Sequence, residues 1–339
     1  MDKYKILIVD DEPDNLALLY RTLRGKYDIA KSTSPLMALE MLKQERFQCI
    51  LSDHKMPEMD GVEFLKRCFE IAPDTMRLLV TAYSDAGILI DAINYAKIYR
   101  YIKKPYNPDE LLLIVENALE YWQLKQDNGA LINDLKELFA GTITAIVEAL
   151  DAKDSYTLGR SRRVTFYAVK IAKALHLSDT TTGKIELAGL LHDIGMIGVS
   201  DDILSKVEKL SQEEYNEIKQ HVHHSVKILD DIKQLKDVVE IIKYHHEFYD
   251  GNGYPYGKKG EEIPIGSRII AVADAFDSMI TPKIYRQQVS PVEALNHIKS
   301  LAGKQFDPIV VENFEQILPE ALKEIKELEH RAWSSSRKS

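Results

Sequence analysis

The hydrophobic pattern changes character about a third of the way along this chain. Up to residue 120, short apolar runs alternate with amphipathic stretches. Ile6–Val9 is a four-residue apolar run, which reads as a buried strand. Pro13–Arg24 places Leu16, Leu19, Tyr20 and Leu23 on one helical face. Cys49–Ser52, Arg77–Thr81 and Tyr99–Ile102 repeat the strand-like pattern. Helical spacing recurs over residues 35–45, 61–71 and 84–96, and again from Asn107. Strands alternating with helices predict a doubly wound α/β domain, a five-stranded parallel sheet covered on both faces, over residues 1–120.

A different period follows. Tyr121, Leu124, Asn128, Leu131, Leu135 and Leu138 are spaced as a heptad seam with one polar position. The spacing predicts a bridging helix over 121–140. It either packs on its own domain or pairs two copies of the chain as a coiled coil. From 141 to 330 the pattern is almost wholly helical and predicts an all-α domain. Its main interruption is Asp250–Gly266, with five glycines and two prolines. That composition predicts a long ordered loop, a common place for function. Residues 331–339 read as a frayed polar tail.

Composition narrows the function classes. The chain has 339 residues, so about two domains are expected. Lys and Arg number 44 against 53 Asp and Glu, a net charge of −9. Residues 1–120 carry 16 basic and 20 acidic side chains, and the remainder 28 and 33, so neither half is basic. This argues against a DNA-binding output, which needs clustered positive charge. No apolar run approaches the length of a membrane span, and the N-terminus does not resemble a signal peptide. Two cysteines, Cys49 and Cys68, suit a reducing compartment, so a cytoplasmic location is expected. Six of the ten histidines fall between His192 and His246. That clustering calls for a chemical explanation.

The candidate chemistry lies in two places. Asp10 and Asp11 follow the first strand, Asp53 follows the third, Thr81 ends the fourth, and Lys104 follows the fifth. Ligands of doubly wound sheets bind at the carboxyl ends of the strands, so these side chains are expected to share a pocket. Three carboxylates together call for a cation, and oxygen-only ligands suit Mg²⁺. A neighbouring ammonium would stabilise an added anion. Such a pocket can form an aspartyl phosphate. In the helical half, His192 and Asp193 are adjacent, His221 opens HVHHS, His245 and His246 are adjacent, and Asp274 lies in RIIAVADAF. Imidazoles with carboxylates suit one or two transition-metal ions, Fe, Mn, Zn or a similar metal. Asp193 is a natural bridge between two such ions, a pair that can clamp a phosphodiester. His223 and His224 are expected to be solvated helix residues.

These residues also carry resemblances. ILIVDDE, SDHKMPEMDG (Ser52–Gly61), VTAY (Val80–Tyr83) and YIKKPY (Tyr101–Tyr106) resemble the receiver domain of two-component response regulators. The resemblance implies Asp53 as phosphoacceptor and Asp10, Asp11 and Asp53 as the Mg²⁺ site. It also implies Thr81 and Lys104 at the phosphoryl group, Tyr101 as switch aromatic, and a histidine kinase as partner. His245–Asp277 and KQFDP (Lys304–Pro308) are similar to the HD-GYP domain of the HD phosphohydrolases. This resemblance implies cyclic di-GMP as substrate, opened to a linear dinucleotide and sometimes cleaved further to GMP. It implies His192 and Asp193 as catalytic residues, and His192, Asp193, His221, His245, His246 and Asp274 as metal ligands. Gly251, Gly253, Tyr254, Pro255, Lys283 and Arg286 would serve the substrate mouth, and the Gly-rich loop would also meet protein partners.

The chain departs from that pattern at several positions, among them the stretch Lys283–Arg286, which keeps a cation at its first position but loses the fork geometry of arginine. The chain also reads YTLGRSRRV (Tyr156–Val164), so Arg160 stands where the family carries a ligand histidine of the first metal. Guanidinium stays protonated and cannot coordinate. It can instead make forked contacts to Asp193 or Asp274. Tyr156 stands where trinuclear members have Glu. Met196 replaces the lysine of HDIGK, removing a cation from the substrate phosphate. The expected function is therefore a phosphorylation-controlled cyclic di-GMP phosphodiesterase weakened at its first metal site. The alternatives are a degenerate module that binds cyclic di-GMP or a protein, and a hydrolase for another phosphoester.

Overall fold

A computed structural model describes residues 3–82, 95–153, 159–206, 208–282 and 288–335, with side chains as far as Glu327. The chain divides into two compact units, Met1–Glu137 and Leu138–Ser339.

The first unit is built on five strands: β1 (Lys5–Val9), β2 (Asp28–Ser32), β3 (Cys49–Asp53), β4 (Met76–Thr81) and β5 (Arg100–Lys103). All pairings are parallel, in the order β2-β1-β3-β4-β5. The doubly wound sheet follows from alternation along buried strands. Ile6, Ile8, Leu51 and Val80 pack beneath helices Pro13–Leu23 and Pro108–Lys153, while Leu7, Val9, Ile50 and Leu79 pack beneath Pro35–Gln44 and Gly61–Ile71. β2 (DIAKS) has no apolar run, because as an edge strand it is only partly covered. Most of the amphipathic stretch 84–96 lies outside the described residues. Helix starts follow ordinary capping: Ser34 accepts from the Met37 N–H, and Asp60 accepts from the N–H groups of Val62 and Glu63.

The bridging segment differs from its expected bounds. Residues 121–140 are not a separate element but the middle of one 46-residue helix, Pro108–Lys153. No Pro interrupts that run, and its two internal glycines are tolerated. Of the heptad seam, Tyr121 meets the Tyr99 ring at 5.5 Å, but the leucines after it are uncovered. Leu124, Leu131, Leu135 and Leu138 are 59–69% exposed. The terminal helix, Pro308–Ser335, likewise runs past the expected boundary at 331, through the helix formers Arg331 and Ala332.

The second unit is all-α. Helix Arg160–Ala174 lies at its centre, packed against Asp179–Leu191, Ile265–Ile280 and the terminal helix. Tyr167, Phe276 and Phe314 meet edge to face there, with ring centroids 4.9–6.2 Å apart. Arg163 grips Asp277 through two bonds of 2.7 and 3.0 Å, fixing the central helix against Ile265–Ile280. Among the described residues, no helix is long and apolar enough to cross a membrane.

Candidate functional site

Strand register assembles the first pocket. Thr81 pairs with Lys103, Asp53 with Val80, and Val9 with both Ser32 and Ser52, so β1, β3, β4 and β5 end at one level. The side chains at and just beyond those ends meet. The Lys104 Nζ lies 3.1 Å from Asp10 Oδ2 and makes a shorter bond to Asp53. Burial alone would lower this ammonium's pKa, but the two carboxylates outweigh it and hold it above the ordinary lysine value. Asp10 also accepts from the Glu12 N–H at 3.0 Å, and Asp53 from the Lys55 N–H at 2.9 Å. Asp11 is half-buried beside them. Thr81 is buried, with its hydroxyl 3.2 Å from His54 Nδ1. Gly61 closes the floor. A Cβ there would come within 2.0 Å of the Asp53 carbonyl oxygen, so only glycine allows the approach. Tyr101 lies apart on β5, 41% exposed.

The second site forms where helix ends converge. His192 caps helix Asp179–Leu191, Asp193 begins the turn Ile194–Gly198, His221 opens His221–Leu229, and His245 and His246 follow Lys236–Lys243. Asp274 projects from the middle of Ile265–Ile280. Three imidazoles are oriented in the same manner. His192 Nδ1 lies 2.8 Å from the Gly189 carbonyl, His221 Nδ1 2.6 Å from Ile218, and His245 Nδ1 2.6 Å from Ile242. Each contact reaches three residues back and fixes the ring so that Nε2 is presented inward. Gly195 permits the approach of the 221–225 turn, since a Cβ would meet the His221 carbonyl at 1.9 Å. Ser225 ties the two segments by accepting from the Gly195 N–H and donating to the His192 carbonyl.

The inward atoms suit a cation. Among the described residues, the buried Nε2 of His245 has no hydrogen-bond partner, and those of His192 and His221 meet only carboxylates, at 3.0 and 3.5 Å, without hydrogen-bond alignment. Unpaired buried nitrogens are costly unless something coordinates them. One ligand atom each from Asp193, His221, His245 and His246 falls within 4.8 Å of the others, and His192, Asp193 and Asp274 form a second such set. Asp193 belongs to both. Protonation is opposed at most of these rings. Burial and the neighbouring imidazoles His192 and His221 push His245 down to about 3, and burial lowers His246 and His221. His192 behaves oppositely. Burial would lower it, but Asp193 at 3.0 Å and Asp274 at 3.5 Å lift it to about 10.

Arg160 lies against the second set. Its Nη2 is 2.6 Å from Asp274 Oδ1 and its Nε 3.5 Å from Asp193 Oδ2, an ion pair without good hydrogen-bond alignment. Despite burial, which would raise them, both carboxyls are held well below the usual carboxylate range, Asp274 chiefly by Arg160 and Asp193 chiefly by His192. A cation of the protein's own thus sits on two of the three ligands of one set.

A cleft of about 860 Å³ opens onto both sets, lined among others by Arg160, Met196, Tyr215, His246, Tyr254 and Asp274. Tyr254 stacks on His246 with centroids 4.8 Å apart, and Lys219 Nζ covers Tyr254 at 4.9 Å. The Gly-rich loop is held at several points. Glu247 is buried and accepts from the N–H groups of Tyr256 and Gly257 at 2.7 and 3.2 Å. Asp250 N–H donates to the Lys304 carbonyl, which brings KQFDP to the loop. A Cβ on Gly253 would lie 2.1 Å from the Phe248 nitrogen, so this position needs glycine; Gly251 has φ +91°. Pro255 follows Tyr254 through a cis peptide bond.

Tyr156, Lys283 and Arg286 lie outside the described residues. His223 is exposed, but His224 is half-buried against Gly198 rather than solvated, because its helix turns it toward the Ile194–Gly198 segment. Sequence reasoning gave no role to Glu247, Ser225 or Lys219. Glu247 directly follows the histidine pair, and that adjacency was the one signal available.

Residues 6–116 match the response regulator receiver domain, and residues 145–310 match the HD domain. The chain is 31% identical over 328 residues to "Cyclic di-GMP phosphodiesterase response regulator RpfG" of Xanthomonas campestris pv. campestris, covering 91% of this chain and 86% of that one. It is 32% identical over 331 residues to a "Cyclic di-GMP phosphodiesterase" of Thermotoga maritima, covering 91% and 89%. A "3'3'-cGAMP-specific phosphodiesterase 3" of Vibrio cholerae is 37% identical over 166 residues, 49% of this chain and 36% of that one.

Proposed function

This chain belongs to the family of response regulators in which a receiver domain precedes an HD domain, and on that premise we propose that it hydrolyses cyclic di-GMP under control of phosphorylation at Asp53. The observation that carries the reading is the set Asp193, His221, His245 and His246, with buried imidazole nitrogens lacking aligned hydrogen bonds beside a nucleotide-sized cleft. These four residues would hold one transition-metal ion, Fe or Mn. Such an ion supplies Lewis acidity and lowers the pKa of bound water. His192, Asp193 and Asp274 offer a second set, but Arg160 neutralises part of it.

The chain's own groups divide the remaining work. Asp274 and Asp193 are pinned by Arg160, whose remaining N–H groups suit a phosphate oxygen. Tyr254, steadied between His246 and Lys219, walls the cleft. Hydrolysis adds water across one phosphodiester, breaking a P–O bond and leaving a linear dinucleotide. Met196 brings no charge to that phosphate, so turnover is slow. Each lost 1.4 kcal/mol of transition-state stabilisation is about tenfold in rate.

In the receiver, Asp10, Asp11 and Asp53 would hold Mg²⁺. An Asp53 oxygen would take a phosphoryl group from a cytoplasmic histidine kinase. Lys104, paired with Asp53 in this state, would follow the charge to the phosphoryl oxygens. The exposed seam Leu124–Leu138 would pair with that of a second copy, and the Gly-rich loop would present a surface for protein partners.

A second reading rests on Arg160 itself: with its pair to Asp274 intact, the domain would bind the cyclic dinucleotide without cleaving it. Incubation with cyclic di-GMP, 3'3'-cGAMP and a generic phosphodiester, with products separated by chromatography, tests both. A linear dinucleotide or GMP from cyclic di-GMP supports hydrolysis. Tight binding without product establishes the degenerate reading, and preferred cleavage of another diester overturns the substrate assignment.

A further inference from the structure

The helix that begins at Pro108, just after the Lys104 segment of the receiver, ends at Lys153 beside the metal-ligand cleft. Its last turns belong to the second unit, where Val147 and Leu150 are buried. Two polar side chains reach from this end to different walls of the cleft. The Lys153 Nζ donates to the carbonyls of Ile197 and Val199 at 2.7 and 2.9 Å, and pairs with Asp201 at 3.4 Å. Those carbonyls close the turn that starts at Asp193. Within it, Met196 N–H donates to the Asp193 carbonyl and Val199 N–H to the Met196 carbonyl. Asp151, also buried, accepts from the Gly159 N–H at 3.0 Å, immediately before Arg160. Leu150 and Asp151 themselves line the cleft.

One helix end thus holds both the segment carrying the shared ligand Asp193 and the segment carrying the arginine opposite it. We propose that the last turn of helix Pro108–Lys153 is the input to the cleft, with Lys153 the positioning residue that sets the Asp193–Val199 turn and Asp151 the contact that sets Arg160. The proposal rests on the reading that receiver phosphorylation controls this domain. A small rotation or shift of the helix end changes the separation of Asp193 and Arg160, because both are tethered to it by hydrogen bonds rather than by apolar contact alone. A coupling of about fivefold or more in affinity is enough to switch a site.

The test uses the full chain, native and as Lys153→Met and Lys153→Arg, each with and without beryllofluoride. Mn²⁺ affinity and cyclic di-GMP hydrolysis are both measured, and fluorine NMR of the bound beryllofluoride reports occupancy of the receiver. In the native chain beryllofluoride shifts Mn²⁺ affinity or turnover by about fivefold or more. In Lys153→Met the ratio falls to near one while the receiver still responds, and Lys153→Arg restores it. A purely structural lysine would lower stability and leave the ratio unchanged. Lys153→Met with the native ratio overturns the proposal, as does a native chain whose receiver responds while neither Mn²⁺ affinity nor turnover moves. If Lys153→Met does not fold, Lys153→Gln, too short for both carbonyls, carries the same prediction. A native chain without hydrolysis whose Mn²⁺ affinity ratio is lost in Lys153→Met refutes the phosphodiesterase reading and upholds this one.

Discussion

In an Arg160→His variant, the guanidinium that lies 2.6 Å from Asp274 and 3.5 Å from Asp193 is gone, and an imidazole joins His192, Asp193 and Asp274. The pair is well buried, with side-chain exposures of 15% for Arg160 and 11% for Asp274. Removing one partner of such a pair costs about 3–5 kcal/mol. For a domain of about 200 residues each kcal/mol is worth about 2–4 °C, so the metal-free variant melts about 6–20 °C below the native chain. Metal reverses much of this. At a hundredfold excess over Kd, one added ion restores about 2.7 kcal/mol. The assay is thermal unfolding of metal-stripped protein with and without Mn²⁺, alongside metal content by elemental analysis. The expected result is one ion per native chain, two per variant chain, and a larger Mn²⁺-induced shift in the variant. Two tightly bound ions in the native chain would refute the argument that arginine takes a metal's place. So would a variant that still binds one.

Three other outcomes are expected. Asp53→Asn removes the carboxylate that Lys104 contacts, so acetyl phosphate or beryllofluoride alters neither oligomeric state nor output; a variant that still responds would place the phosphoacceptor elsewhere. Leu131→Glu with Leu135→Glu puts like charges in the exposed seam, and sedimentation should show dimers dissociating at least tenfold more readily, about 1.4 kcal/mol. In the metal-free chain, His245 stays neutral when folded, with its pKa near 3, but protonates when unfolded near 6.5. The unfolded state therefore binds more protons between those values, and stability falls with acidification. From pH 7 to pH 5 this one ring accounts for about 2 kcal/mol, so His245→Gln should lose correspondingly less in denaturant titrations. His192, raised to about 10, has the opposite sign: its contribution is complete below about 6.5 and is lost as pH rises through 10.

Much of the architecture could be read from the chain. Buried strands and amphipathic helices announce themselves through local period, because burial acts on every second or every third and fourth residue. That is why β1 and β3 were visible and the edge strand β2, with only one covered neighbour, was not. The heptad seam was legible too. Whether it packs inward could not be read, since period specifies a face and not what covers it.

Residue types and their order also determined which side chains could take part in the two sites, and marked Arg160 as a misfit. Tertiary structure decided the rest. It set Arg160 on Asp274 rather than leaving it in solvent, and oriented three imidazoles through carbonyls three residues back. It gave Glu247 the loop to hold, and brought Lys153 to carbonyls more than 40 residues away. Local sequence encodes period and chemistry, whereas charge pairing and backbone capture depend on which distant segments the hydrophobic cores bring within hydrogen-bonding distance.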